Sequence, residues 1–161
     1  MGRLIFAVIA ASLSLNCFAQ LRVQTAVQVC TLLNDTQLRA GEWITHPDGD
    51  EGCSSGARPI SATSTDGNRI SFLAEGSSGT PNRVKLILKV LLPSDEDAAK
   101  REMVRATKRL AVRALGLSIP HSIDEAIMKG LPAKLDVGSG KITVTRTAIN
   151  KQSYVLAILI E

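Results

Sequence analysis

The sequence predicts a single α+β domain with a mainly antiparallel sheet of five to six strands. Its 161 residues suit one domain of ordinary size, and 45% hydrophobic against 21% charged residues is the balance of a folded protein. Strand and helix patterns do not alternate regularly along the chain, which argues against a parallel sheet. We expect an N-terminal helix and a long amphipathic helix to pack together on one face of the sheet.

The first residues have the pattern of a secretory signal peptide. Arg3 precedes a mostly apolar run from Leu4 to Leu15, and Cys17 and Ala19 place small residues at the −3 and −1 positions of a cleavage site. The run is too short for a membrane-spanning helix, which needs about 20 residues. We therefore expect residues 1–19 to be removed and the protein to be exported, to the periplasm or the extracellular space.

Two alternatives to a soluble exported protein can be weighed from the same sequence. Acylation of Cys17 would make the protein a lipoprotein, but Asn16 fits poorly in the small-residue box that precedes an acylated cysteine. A membrane protein is not expected, because no long apolar run follows the signal segment. The mature chain is thus expected to have no transmembrane segment.

Two of the three cysteines, Cys30 and Cys53, remain after this cleavage. An even number of cysteines in an oxidising compartment predicts a disulfide, and only one pairing exists. We expect residues 20–161 to form one domain cross-linked by Cys30–Cys53. A redox-active cysteine is disfavoured, because there is no C-x-x-C motif and no histidine lies within a few residues.

The first half of the mature chain predicts a helix and then several strands. Apolar residues recur at helical spacing from Val23, which predicts a helix that ends near Asn34. The turn-rich region that follows has short candidate strands at 43–45 and 57–62. Longer strands are predicted at 69–74 and 83–92, separated by a glycine-rich loop over 75–82.

The second half opens with the clearest helix signal in the sequence. Ser94 is a candidate N-cap, acidic residues fill the first turn, and Gly116 is a typical C-terminal stop. A capping box at Ser122–Glu125 predicts a second, short helix that ends at Gly130.

Three strands are predicted after the two helices. The turn at residues 138–140 predicts a hairpin of strands 133–137 and 141–148. The last strand, from Tyr154 to Ile160, is apolar at every position. This pattern favours a place in the middle of the sheet, covered by the long helix.

Two patterns suggest catalysis or metal binding, and both are weak. Residues 52–56 match the G-x-S-x-G motif of serine hydrolases, but no apolar strand precedes Ser54, no helix pattern follows it, and the base would have to be His121. Asp48 and Asp50 have calcium-loop spacing, but the next position that needs an oxygen ligand is a glycine. We expect no catalytic residue, metal or cofactor.

The long helix carries a concentration of positive charge on its polar side. Six basic residues fall within about 220° of arc at about 100° per residue. Such a surface suits an acidic protein or an anionic glycan or lipid, although it is also typical of a solvated helix face. The six candidate binding residues are Lys100, Arg101, Arg105, Lys108, Arg109 and Arg113.

Taken together, these features favour an exported, non-enzymatic binding protein. Its partner, a protein or an envelope component, is not identified by the sequence, and an inhibitor or immunity-type role is one candidate. The net charge of +4 is too small to indicate nucleic acid, which an exported protein rarely meets. The alternatives are a small exported hydrolase that uses Ser54 and an anionic-surface binder that uses residues 100–113.

Overall fold

A computed structural model of the protein describes residues 21–60 and 67–161. The expected signal segment and Cys17 lie outside these residues, as do the last two residues of the strand predicted at 57–62. The described chain forms one α+β fold. Its elements, in chain order, are α1 (Ala26–Cys30), β1 (Ile44–Thr45), β2 (Glu51–Ser54), β3 (Arg58–Pro59), β4 (Arg69–Ser77), β5 (Thr80–Val90), a 3-10 turn (Pro93–Asp95), α2 (Glu96–Leu115), α3 (His121–Lys129), β6 (Ala133–Val137), β7 (Gly140–Ala148) and β8 (Tyr154–Ile160).

All described strands belong to one antiparallel sheet of eight strands. Seven of them follow the order β1-β2-β4-β5-β8-β7-β6, while β3 pairs separately with β4. The central pairing joins β5 to β8, with Val84 opposite Ile160 and Val90 opposite Tyr154. The prediction of an antiparallel sheet is confirmed, and so is the interior position of β8. The predicted number of strands was too small.

The short strands β1 and β3 lie within the predicted candidate strands 43–45 and 57–62, whereas β2 comes from sequence that resembles a turn. β2 contains the Gly-Cys-Ser segment of the G-x-S-x-G pattern and pairs with β4, where Cys53 lies opposite Ala74. The loop predicted over 75–82 is also wrong, because β4 and β5 continue to a tight turn at Ser78 and Gly79, which have positive φ angles of 51° and 72°. A register shift between Glu75 and Gly76 accommodates the glycine and proline that suggested a loop.

α1 is shorter than predicted at both ends, whereas α2 and α3 differ from prediction at their N-termini. α1 is a short helix whose Thr25 side chain accepts a hydrogen bond from Gln28 N at 3.3 Å, and irregular turns replace the rest of the predicted helix. Ser94 was predicted as the N-cap of α2, but it lies inside the 3-10 turn, and Asp95 is the N-cap instead. α3 begins at His121, so Ser122 does not cap it.

The C-terminal ends of the two longer helices are as predicted. Gly116 and Gly130 both adopt the left-handed conformation that closes a helix, with φ angles of 76° and 63°. These two stops set the direction in which the chain leaves each helix. The chain can then cross the sheet from β5 to its far edge at β6.

The helices pack on one face of the sheet, which we call the covered face. Alternate side chains of β4, β5, β8 and β7 point into this layer and are buried, as are the α2 residues that meet them. The largest fully buried side chains include Phe72, Leu86, Leu110, Leu156 and Ile158. The core is therefore mainly aliphatic, in keeping with the aromatic content of only 3% in the sequence.

The opposite face, which we call the open face, has no helix on it within the described chain. It consists of the intervening strand residues, which are half-buried or exposed. Aliphatic side chains from β4, β5 and β8 lie at its centre, and polar or charged side chains surround them. The aliphatic members are Leu73, Ile87, Val155, Ala157 and Leu159.

The predicted disulfide is confirmed. Cys30 at the end of α1 is bonded to Cys53 in β2, with their Cα atoms 6.0 Å apart, and both cysteines are buried. The bond attaches α1 to the covered face of the sheet near its edge. It also suggests that the protein resides outside the cytoplasm, where disulfides persist.

Candidate binding surfaces

The outer side of α2 carries the most concentrated exposed charge predicted from the sequence. Four of the six predicted basic residues are exposed there, and we call them the basic surface: Arg101, Arg105, Lys108 and Arg109. Lys108 forms an ion pair of 2.6 Å with Asp124 of α3, and Arg105 forms a 3.2 Å pair with Glu102. Arg101 and Arg109 form no ion pair within residues 21–60 and 67–161.

Lys100 lies apart from the basic surface, in the interior. Only 6% of it is exposed, and its amine pairs with Glu96 one turn earlier on α2. Its Nζ lies 5.9 Å from the centre of the Tyr154 ring, over which the Arg146 guanidinium also lies at 4.1 Å. The Tyr154 hydroxyl donates a hydrogen bond of 2.8 Å to Glu96. Lys100 therefore belongs to a polar cluster that joins α2 to the β7–β8 hairpin.

These contacts change the acidities of the two oxygen acids in the cluster. The hydrogen bond from Lys100 keeps the pKa of Glu96 below its usual range despite partial burial, with help from Tyr154. Burial raises the pKa of Tyr154, and the neighbouring Glu96 raises it further. Both groups thus keep one protonation state near neutral pH, as suits a structural role.

Arg113, the last predicted basic residue, is also engaged within the fold. Its guanidinium donates to both carboxylate oxygens of Asp35, at 2.6 and 2.7 Å, and to the carbonyl oxygen of Leu32 at 2.5 Å. The bond from Arg113 lowers the pKa of Asp35 to about 2. This pair connects the turns after α1 to the end of α2, so the Arg113 guanidinium already has a carboxylate partner within the fold.

An apolar groove of about 620 Å³ lies beside the basic surface, between α2 and α3. We call it the α2–α3 groove. The aliphatic side chains of Val104 and Met128 line it and are half-buried, while Arg101 and Arg105 stand at its border. Asp124 also lines it, held by Lys108. The structure therefore brings predicted cations next to apolar side chains whose importance the sequence did not indicate.

A second cavity, of about 590 Å³, lies near the β1–β2 hairpin and is rich in carboxylates. Two of these are engaged within the fold. Glu51 accepts hydrogen bonds from Trp43 Nε1 at 3.4 Å and from Gly79 N at 2.5 Å. Burial alone would raise the pKa of Glu75, but hydrogen bonds from Lys85 and Arg83 outweigh it and lower that pKa.

The calcium-loop spacing does not produce a metal site in the described chain. Asp48 instead accepts a hydrogen bond from the backbone N–H of Asp50 at 3.3 Å, which is a turn interaction. Over residues 21–60 and 67–161, no group of three or more histidine, cysteine, aspartate or glutamate residues is arranged to hold a metal ion.

The two residues on which the alternative hydrolase function would depend, Ser54 and His121, lie in different layers. Ser54 is the last residue of β2, and strand alternation directs it to the open face because Cys53 points to the helices. Its Oγ accepts a hydrogen bond from Gly56 N at 3.0 Å, and the next element is a strand. His121 begins α3 on the covered side, with 82% of its side chain exposed. The arrangement lacks the strand-to-helix turn of a nucleophile elbow.

No protein-family model matches the sequence, and no curated protein or solved structure is significantly similar to it. In the part of the chain that the structure describes, no helix has the length and apolar character required to cross a membrane.

Proposed function

We propose that this is an exported, non-enzymatic binding protein that recognises an acidic partner protein through the basic surface of α2. The observation that carries the proposal is the exposure of Arg101, Arg105, Lys108 and Arg109 side by side on the outer side of the helical layer. Long-range attraction to such a patch speeds association and selects partners of opposite charge.

The charge balance of the surface supports this proposal. Arg101 and Arg109 have no ion-pair partner among the described residues. In the Arg105–Glu102 pair, both side chains are exposed. Exposed pairs contribute little to folding stability, so releasing Arg105 to a partner costs little. The positive charge of Arg101, Arg105 and Arg109 is thus available for binding, while Lys108 remains paired with Asp124.

A partner protein is favoured over a lipid surface because of how α2 is packed. Amphipathic helices that bind membranes insert an apolar face into the lipid. The apolar side of α2, including Met103 and Leu110, is buried against the sheet. Contact with a bilayer would depend on charge alone.

Export is supported by the disulfide and by the signal-like pattern of residues 1–19. The expected mature N-terminus is Gln20, and mass spectrometry of the protein recovered from the producing cell checks it. A lipid on Cys17, or residues 1–19 still attached, would contradict the proposed processing.

The separation of Ser54 from His121 supports a non-enzymatic role. If the protein is instead a hydrolase that uses Ser54, a fluorophosphonate probe labels the native protein and fails to label Ser54→Ala. We expect no labelling of either protein.

Charge reversal tests the binding surface directly. Immobilised mature protein should capture a partner from envelope extract at low salt and less of it at high salt, since screening weakens exposed charge contacts. Arg105→Glu with Arg109→Glu should abolish capture and leave the melting temperature nearly unchanged. The matched control is Lys134→Glu with Lys151→Glu, which makes the same change in charge at exposed positions on other elements.

Two results would contradict the proposal. If capture survives the Arg105 and Arg109 reversal, the basic surface is an ordinary solvated helix face. The second result combines two observations. Phosphatidylglycerol vesicles bind the protein as tightly as the captured component of the extract does, and protease treatment of the extract does not reduce capture. The partner would then be an anionic envelope surface rather than a protein.

A further inference from the structure

The α2–α3 groove lies directly beside the basic surface and shares two residues with it. Arg101 and Arg105 belong to both, and between them on α2 stands Val104, half-buried and packed against the core. Met128 of α3 lines the same groove. A ligand drawn to the arginines therefore meets aliphatic surface within the next turn of helix.

The border of the groove remains positive because Arg101 forms no ion pair among the described residues, although Arg105 pairs with Glu102 at an exposed site. Lys108 already neutralises Asp124, the one carboxylate that lines the groove. Glu125 of α3 is bound by Lys129 at 2.9 Å, and this bond lowers the pKa of Glu125. An occupant that offered only aliphatic side chains would leave Arg101 unpaired, while one that offered only carboxylates would leave Val104 and Met128 in water.

We propose that the α2–α3 groove receives a short segment of the partner protein in which aliphatic side chains stand next to carboxylates. The aliphatic side chains pack on Val104 and Met128, and the carboxylates pair with Arg101 and Arg105. This inference rests on the proposed function, since the same arginines would first attract the acidic partner. It specifies the chemical class of the segment that is recognised, and it names the residues that would distinguish this segment from other acidic segments.

Defined peptides test the inference without knowledge of the natural partner. Three fluorescein-labelled peptides are compared by fluorescence anisotropy: Glu-Glu-Glu-Leu-Leu-Glu-Glu-Glu, the same sequence with Ser-Ser in place of Leu-Leu, and the same sequence with every Glu replaced by Gln. The Leu peptide should bind about tenfold more tightly than the Ser peptide, because the leucines lose water-exposed apolar area in the groove. The Gln peptide should not bind measurably.

Isosteric variants then locate the binding site. Val104→Thr and Met128→Gln, made singly and together, should lower the Leu-to-Ser affinity ratio towards one while the Ser peptide binds as before. Val112→Thr is the matched control, because Val112 is an exposed valine on the same helix outside the groove lining. It should leave the ratio unchanged. Thermal melting of each variant shows that the fold is intact.

The outcomes separate this inference from the proposed function. If the wild-type protein binds the Leu and Ser peptides equally well, the groove takes no aliphatic side chain and the inference is overturned, while the acidic partner stands. Binding of neither acidic peptide overturns the proposed function, and this inference with it. An unchanged affinity ratio in the double variant places the leucines elsewhere and overturns the groove assignment alone.

Discussion

The two faces of the sheet are buried to different extents, although β8 supplies apolar residues to both. On the covered face, Leu156 and Ile158 are fully buried under the helical layer, whereas on the open face Val155 and Leu159 are only half-buried. The neighbouring strands account for the difference. On the covered face, Ile158 lies between Leu86 of β5 and Val144 of β7, whereas on the open face a lysine of β5 and a threonine of β7 flank both Val155 and Leu159. A strand's burial is therefore decided by its sheet neighbours as well as by its own sequence.

The strongest test of this comparison uses two leucines of the same strand. Leu156→Ala removes a fully buried side chain and should lower the free energy of unfolding by about 3–4 kcal/mol. Leu159→Ala on the open face should cost about 1 kcal/mol or less, because the site is already partly hydrated. Urea denaturation of both variants measures the two values. Equal losses would mean that the open face is covered in solution.

The disulfide should have the next largest effect, because it attaches α1 to the covered face. Replacing Cys30 and Cys53 together by alanine should lower the free energy of unfolding by about 3 kcal/mol, since the unfolded chain regains its loop entropy. Chemical denaturation of the variant checks this, and reduced wild-type protein is the control. Loss of less than about 1 kcal/mol would show that packing alone holds α1.

A smaller effect is expected for one hydroxyl at the border of the covered face. Tyr154→Phe removes the hydrogen bond to Glu96 and should cost about 1 kcal/mol. Thr145→Val makes a comparable polar-to-apolar change at an exposed position of the open face and should alter stability by less than about 0.5 kcal/mol. Thermal unfolding of the pair shows whether the polar cluster supports the fold.

The Asp35–Arg113 pair gives a weaker effect that depends on pH. The pKa of Asp35 is about 2 in the folded protein against an ordinary value of 3.8. The ionised form is favoured by folding, so its contribution is fully present above about pH 4 and disappears as the pH falls towards 2. The stability difference between wild type and Asp35→Asn should therefore shrink over this interval in acid denaturation series. A difference that stays constant would exclude the pair as its source.

The sequence predicted those parts of the fold in which local pattern and tertiary environment agree. The α2 helix, its stop at Gly116 and the hairpin of β6 and β7 are confirmed because apolar periodicity and glycine turns specify them locally. β2 and the β4–β5 turn were missed, since Gly52, Gly76 and Pro81 disfavour strands on their own. Gly52 lies in a strand because β2 pairs with β4, and Gly76 and Pro81 lie in strands because a register shift accommodates them. Both features depend on residues that are distant in sequence.

Only part of the candidate binding surface could be predicted from the sequence. A helical projection places Lys100 and Arg113 near the other basic residues, but it does not show that Glu96 and Tyr154 enclose Lys100 or that Asp35 binds Arg113. The groove could not be predicted either, because Val104 and Met128 belong to different helices and their proximity results from how α3 packs on α2.

The central pairing of β5 with β8 also bears on the order of events during synthesis. The partners Val84 and Ile160 are 76 residues apart in the sequence, and pairings of such long range slow the folding of a domain. During synthesis from the N-terminus, β4 and β5 are available well before β8. The central pairing of the sheet can therefore be completed only after most of the described chain, including β8, has been made.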